Sequence, residues 1–185
     1  MTDEIIDPTG SAGFRLPEKL YVTGLAGRRH DLAGARIGLL HNSKRNADLL
    51  LSDIADLLVA EHGAAAVTLA QRKAAFALPV GEAVVAQYGR LCDVVVIGVG
   101  DCGSSSAAVV ADGMLLEQAG VPAAVICTEA FVATADAMAE LRGAPDYDYV
   151  VTEHPVAALT REQVRHRGRR LVPEVVPLVT DVGPV

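Results

Sequence analysis

A chain of 185 residues is long enough for one domain with a proper core and short for two. Its 51% hydrophobic and 21% charged residues do not describe a disordered chain, and a formal net charge of -7 is the wrong sign for a general nucleic-acid surface. No apolar run approaches the roughly 18 residues that cross a bilayer, and the acidic start Met1-Thr2-Asp3-Glu4 is not a secretory signal.

These features predict a cytoplasmic protein with no membrane or nucleic-acid partner. The 4% aromatic content, without Trp, leaves no stacking platform for single strands. The three cysteines cannot pair completely and lack the spacing of a zinc knuckle, so no structural metal is expected.

In chain order, residues 1–34 are rich in Pro, Gly and polar residues, with short apolar pieces such as Leu20-Tyr21-Val22. They read as an extended arm that a partner chain could order. Residues 35–185 read as a single α/β domain. Residues 36–40 form a short apolar strand, followed by the polar turn His41-Asn42-Ser43-Lys44-Arg45-Asn46. Leu50, Ile54, Leu57 and Leu58 follow at helical spacing, with Gly63 as the stop. A second strand is expected at 66–69 and a second helix at 84–91.

Residues 93–99 are β-branched without polar alternation, the pattern of a strand buried on both faces. The turn Gly100-Asp101-Cys102-Gly103-Ser104-Ser105-Ser106 leads into a helix that Gly120 ends, and one of the serines is the expected N-cap. A buried strand at 123–127 precedes a helix with Phe131, Ala135, Met138 and Leu141 on one face. A last strand is expected at 147–151. Thr160 and Gln163 then form a capping box for a helix carrying Arg161, Arg165, Arg167, Arg169 and Arg170 as a solvated face.

This alternation predicts a three-layer α/β fold around a mostly parallel five-stranded sheet, flavodoxin-like in strand order or, second, Rossmann-like. In such a sheet the ligand crevice lies outside the carboxyl ends of the strands. The polar residues collect there: His41, Asn42, Ser43, Lys44 and Asn46; then Asp101, Cys102, Ser104 and Ser105; then Cys127, Thr128 and Glu129; then Thr152, Glu153 and His154.

Cys102 carries the sharpest chemistry. A helix N-terminus contributes orphan N–H groups and partial positive charge, which stabilise a thiolate. Gly100 and Gly103 let the backbone turn tightly around it, and Ser104, Ser105 and Gly103 could cradle an anion. His41 and His154 are candidates for proton transfer. Asp101 either forms the turn or holds a catalytic partner, and Lys44, Asn42, Ser43, Asn46, Thr128 and Glu129 are candidates for binding substrate. Cys92 reads as inert core, while Cys127 stays open. Gly98-Val99-Gly100 lacks the third glycine of a dinucleotide fingerprint, no Gly-Lys-Ser/Thr occurs, and no cofactor is expected.

The turn Gly100-Asp101-Cys102-Gly103-Ser104-Ser105 resembles the UGSC proteins, named for a selenocysteine-Gly-Ser-Cys motif that is often Cys-Gly-Ser-Cys. The likeness runs over most of 35–180, through His41-Asn42-Ser43-Lys44-Arg45-Asn46-Ala47, Val96 to Ser104, and His154-Pro155-Val156-Ala157-Ala158-Leu159-Thr160. That family is distantly similar to the selenoprotein B subunit of glycine reductase, in which a selenol is proposed to displace a leaving group from carbon. The resemblance implies a nucleophile at Cys102 and puts the family's second cysteine on Ser105. A Cys-x-x-Ser turn cannot close the disulfide of dithiol redox chemistry.

Three readings follow. The first is a thiol-dependent enzyme in which Cys102 attacks a small anionic organic substrate, with His41 or His154 moving protons. The second uses Cys102 and Cys127 as a facing acid and base, as an isomerase or lyase would, with Glu129 as a fallback base. The third is a non-catalytic or accessory subunit. The expected assembly is a homo-oligomer, or a hetero-oligomer with a homologous subunit.

Overall fold

The computed structural model describes residues 25–181. Five strands, β1 (Arg36–His41), β2 (Ala66–Arg72), β3 (Val94–Gly100), β4 (Ala123–Thr128) and β5 (Val150–Thr152), form one sheet in the order β2-β1-β3-β4-β5. Every pairing is parallel. This is the flavodoxin-like order, with its switch point between β1 and β3.

Five helices cover the sheet: α1 (Ala47–His62), α2 (Glu82–Leu91), α3 (Gly103–Gln118), α4 (Val132–Leu141) and α5 (Arg161–Val179). One face packs Leu50, Leu51 and Ile54 of α1 with Leu171 and Val175 of α5. The other packs Tyr88 of α2, Val109, Val110 and Met114 of α3, and Ala135 and Ala139 of α4. Both central strands are buried along their whole length, which is why β3 and β4 carry no polar alternation. No helix among the described residues is long and apolar enough to cross a membrane.

Local signals placed the helix ends well. Gly63 and Gly120 have φ of 71° and 82° and close α1 and α3 in the left-handed conformation that favours glycine. The capping box at α5 is present, with Gln163 N–H donating to Thr160 Oγ1 (3.3 Å) and Thr160 N–H to Gln163 Oε1 (2.8 Å). The last strand is shifted from 147–151 to Val150–Thr152, because the chain turns at Pro145 and Asp146 and only three residues reach the ladder with β4. Tyr147 is instead a buried core side chain. Leu141, expected on one face of α4 with Ala135 and Met138, is 52% exposed at the helix end.

The expected arm falls partly outside the described residues, and Leu20-Tyr21-Val22 lies wholly outside them. From residue 25 the chain runs along the foot of the sheet. Ala26 N–H and Arg28 both reach the buried Glu117 of α3 (2.7 Å each), and Arg29 pairs with Thr180 beyond α5. The basic helix is also less free than expected: Arg161 pairs with Asp53, while Arg167 and Arg170 pair with Glu153.

Close approach of β3 to α3 fixes the turn between them. A Cβ on Gly100 would sit 2.7 Å from Cys127 Sγ and 2.9 Å from Ser106 Cα, whereas one on Gly103 would meet nothing nearer than Thr134 Oγ1 at 3.8 Å. Gly100→Ala should therefore cost about 1–3 kcal/mol of stability from overpacking, and Gly103→Ala clearly less. Denaturant unfolding of the two variants checks the contrast; equal losses would contradict it.

Candidate functional site

The carboxyl end of β3 delivers Asp101 and Cys102 to the switch point, and α3 begins one residue later. The N-cap of α3 is Cys102 itself, in extended conformation, and not one of the serines. Strand β3 runs to Gly100 and leaves only two residues for the turn, so the helix starts before the first serine.

Ser105 occupies the third helical position and closes a reciprocal box with Cys102. Its Oγ accepts the N–H groups of Asp101 and Cys102 (3.1 Å each), is met by the Cys102 thiol (3.1 Å), and donates its own proton to Cys102 carbonyl (3.2 Å). Cys102 carbonyl is also met by Ser106 N–H and Ser106 Oγ–H (2.9 Å each). Two N–H donors use both lone pairs of the Ser105 hydroxyl. Its proton serves the Cys102 carbonyl while the sulfur is a thiol, and turns to the sulfur, 3.1 Å away, when the thiol ionises.

Burial pushes the Cys102 thiol up, but the Ser105 hydroxyl, the Ser105 N–H, the Ser104 hydroxyl and the Lys44 ammonium outweigh it. The net effect brings the thiol down to about 7. Cys102 is partly exposed, and Cys92 and Cys127 are buried. Burial pushes the Cys127 thiol up to about 12, with no exposed surface. The two-cysteine acid/base expectation fails on that point, since among the described residues Cys127 is enclosed in the core.

On the other side of Asp101 stands His154. Its Nδ1 lies 3.0 Å from Asp101 Oδ1 and 3.2 Å from Thr128 Oγ1. Thr128 donates its own hydroxyl proton to Gly100 carbonyl (3.0 Å), so toward His154 it can only accept. Both neighbours therefore ask Nδ1 to carry the proton, and the lone pair of the neutral ring is left on Nε2. The Asp101 carboxyl group, 4% exposed, also accepts Val156 N–H (3.2 Å) and Ala157 N–H (3.0 Å). Asp101 thus holds a partner as well as a turn. Phe131 meets the His154 ring edge-on at 5.3 Å, and His154 N–H donates to Glu129 Oε1 (3.4 Å).

Lys44 is half-buried, and its Nζ lies 4.7 Å from the centre of the Phe76 ring. Among the described residues it has no carboxylate partner. The N–H groups of Gly103 and Ser104, first in α3, likewise meet no acceptor among the described residues. The exposed side of the turn thus presents a thiolate-prone sulfur, two free backbone donors and an unpaired cation.

Several expected binding residues do other work. Asn42 is fully buried and spends its amide on Val99, donating to the carbonyl (2.6 Å) and accepting the N–H (3.2 Å). Asn46 has φ of 69° and donates to the carbonyls of Val156 (3.0 Å) and Leu159 (2.9 Å). Thr128 is also fully buried. All three position loops, and their polar groups are not free for substrate. Ser43 is exposed, with no side-chain hydrogen bond among the described residues.

His41 alternates with Leu40 onto the α1 side of the sheet, and no contact joins it to Cys102 or His154 among the described residues. Burial lowers its pKa, Asp48 opposes this and Arg72 adds to it, while its buried Nδ1 has no partner. Reasoning from sequence missed Phe131, and it missed Arg167, which donates to Thr152 Oγ1 (2.9 Å) and Glu153 carbonyl (2.8 Å) just before His154. The first lacks a polar signal, and the second reads with its neighbouring arginines as a solvated helix face.

The UGSC family model matches residues 4–181. No curated protein matches the chain. Ser105→Ala should slow alkylation of Cys102 several-fold at pH 7 by removing the hydroxyl that stabilises the thiolate, with peptide mapping as the readout. Unchanged alkylation would show that Ser105 does not tune the sulfur.

Proposed function

We propose that this chain, which belongs to the UGSC family, is a thiol-dependent enzyme whose Cys102 thiolate attacks an electrophilic carbon of a small organic anion. The observation that carries this reading is the sulfur at the N-cap of α3, held by Ser105 and brought down to about 7. A thiolate there is both available near neutrality and still nucleophilic.

Each group has a definite task. Lys44 and the N–H groups of Gly103 and Ser104 take the anionic end of the substrate. The sulfur supplies the electron pair of a new S–C bond while the bond to the leaving group breaks. The leaving group departs with that pair and takes a proton from Nε2 of His154, which holds there the proton released when the Cys102 thiol ionised. The imidazole, neutral after that transfer, then accepts a proton from the second nucleophile that cleaves the adduct and restores the thiolate. Asp101 and Thr128 act as positioning residues, keeping Nδ1 protonated and Nε2 facing outward. Glu129 orients the backbone of His154.

A second reading, an accessory subunit of a hetero-oligomer, is favoured by one observation. The atom 3.1 Å from Cys102 Sγ is a hydroxyl oxygen, so a dithiol cycle would need its second thiol from elsewhere. Sizing and assaying the protein alone and with a co-encoded homologue separates the two. Activity only in the mixed species supports the subunit.

The enzyme reading is tested by screening small electrophilic acids for turnover and for an adduct at Cys102 by intact mass. Cys102→Ser should abolish both. His154→Gln and Asp101→Asn should still form the adduct, and lower kcat by about 10²–10⁴-fold, the usual worth of a positioned acid–base group. Full activity in Cys102→Ser would end the mechanism.

A further inference from the structure

Helix α3 carries Cys102 at its start and, further along, the fully buried Asp112. That one carboxyl group grips both ends of the connection between β2 and α2. Lys73, itself buried, pairs with Asp112 Oδ2 at one end, and Val80 N–H donates to Oδ1 (2.7 Å) at the other. Lys73 N–H also continues the sheet edge by donating to His41 carbonyl (2.8 Å). A loop whose two ends are pinned together in this way is a compact surface loop, a type that is frequently functional.

Beneath it lies a cavity of about 590 Å³, lined by Leu40, Gln71, Ala74, Leu78, Val80 and Val84 among others. That is the size of a small-molecule site. Leu40 and Val84 belong to the same side of the sheet as α3. The Lys73 ammonium at its margin is neutralised by Asp112, so the aliphatic wall is not offset by a free buried charge. The loop also carries Phe76, 43% exposed, whose ring lies against Lys44, and Leu78, 62% exposed. Lys44 therefore stands between this loop and Cys102. Strand β2 is separated from β3 only by β1, a lateral distance of about 10 Å at the usual strand spacing.

We propose that this cavity takes the apolar part of the substrate whose anionic end lies at Lys44 and the start of α3. The enzyme then selects acids carrying an aliphatic chain over short ones. The inference rests on the anion reading of the Cys102 site. Lys44 serves both halves, facing the anion with its ammonium while Phe76 continues the apolar wall.

The test is protection of Cys102 from iodoacetamide by acetate, butanoate, hexanoate and octanoate, with the half-protecting concentration as the readout. Protection should tighten by up to about fourfold per added methylene, until the cavity is full. Val84→Trp and Val80→Phe, which fill the cavity from α2 and from the connection that precedes it, should abolish that gradient, with the unprotected alkylation rate unchanged. Equal protection by acetate and octanoate overturns the cavity assignment and leaves the anion site standing. A gradient that survives in a folded cavity-filling variant overturns it too. No protection by any of the four acids overturns the anion reading along with the cavity.

Discussion

Helix α3 starts two residues after a fully buried strand, so the N–H groups of Asp101, Cys102 and Ser105 must be met within the turn itself, with little room for a loop to meet them. Cys102 and Ser105 answer this constraint by capping each other. The Ser105 hydroxyl takes two backbone donors and holds its proton between the Cys102 carbonyl and the sulfur, and the sulfur in turn receives the Ser105 N–H. A need of the fold, satisfying orphan donors, is thereby met by a group whose charged form suits the task best. The same short turn presses Gly100 against Ser106 and Cys127, which leaves no room for drift.

Around that turn the loops are tied by buried polar groups. Asp101 receives two N–H groups of the β5–α5 connection and the His154 ring. Asn46 holds two carbonyls of the same connection, and Arg167 fixes it from α5. Asp112 does the equivalent for the β2–α2 connection. Unpaired, such buried groups would cost several kcal/mol each. Paired as they are, they hold the connections next to the switch point in register with the sheet.

Much of this was legible in the sequence where one residue decides the outcome. Gly63 and Gly120 mark helix ends because only glycine takes positive φ freely, and the unbroken β-branched run of β3 can only be a strand buried on both faces. Strand-end polarity marked which residues gather at the carboxyl ends of the strands, but not the division of labour among them. Asn42, Asn46 and Thr128 look like ligands in a string of polar letters. Whether an amide faces a substrate or a backbone carbonyl depends on partners 57 or 110 residues away. The same limit hid Asp112 and Phe76, whose roles exist only once β2 and α3 are brought side by side, and it displaced His41, which a one-residue alternation turns to the other face of the sheet.

The account stands on Cys102 being a thiolate near neutral pH. The direct measurement is a pH titration of thiolate ultraviolet absorbance, taken as the difference between the natural protein and Cys102→Ser. The account predicts a single transition with a midpoint of about 7. A midpoint at or above the free-thiol value of about 8.5 would mean that Ser105 and the helix terminus do not activate the sulfur, and would contradict it.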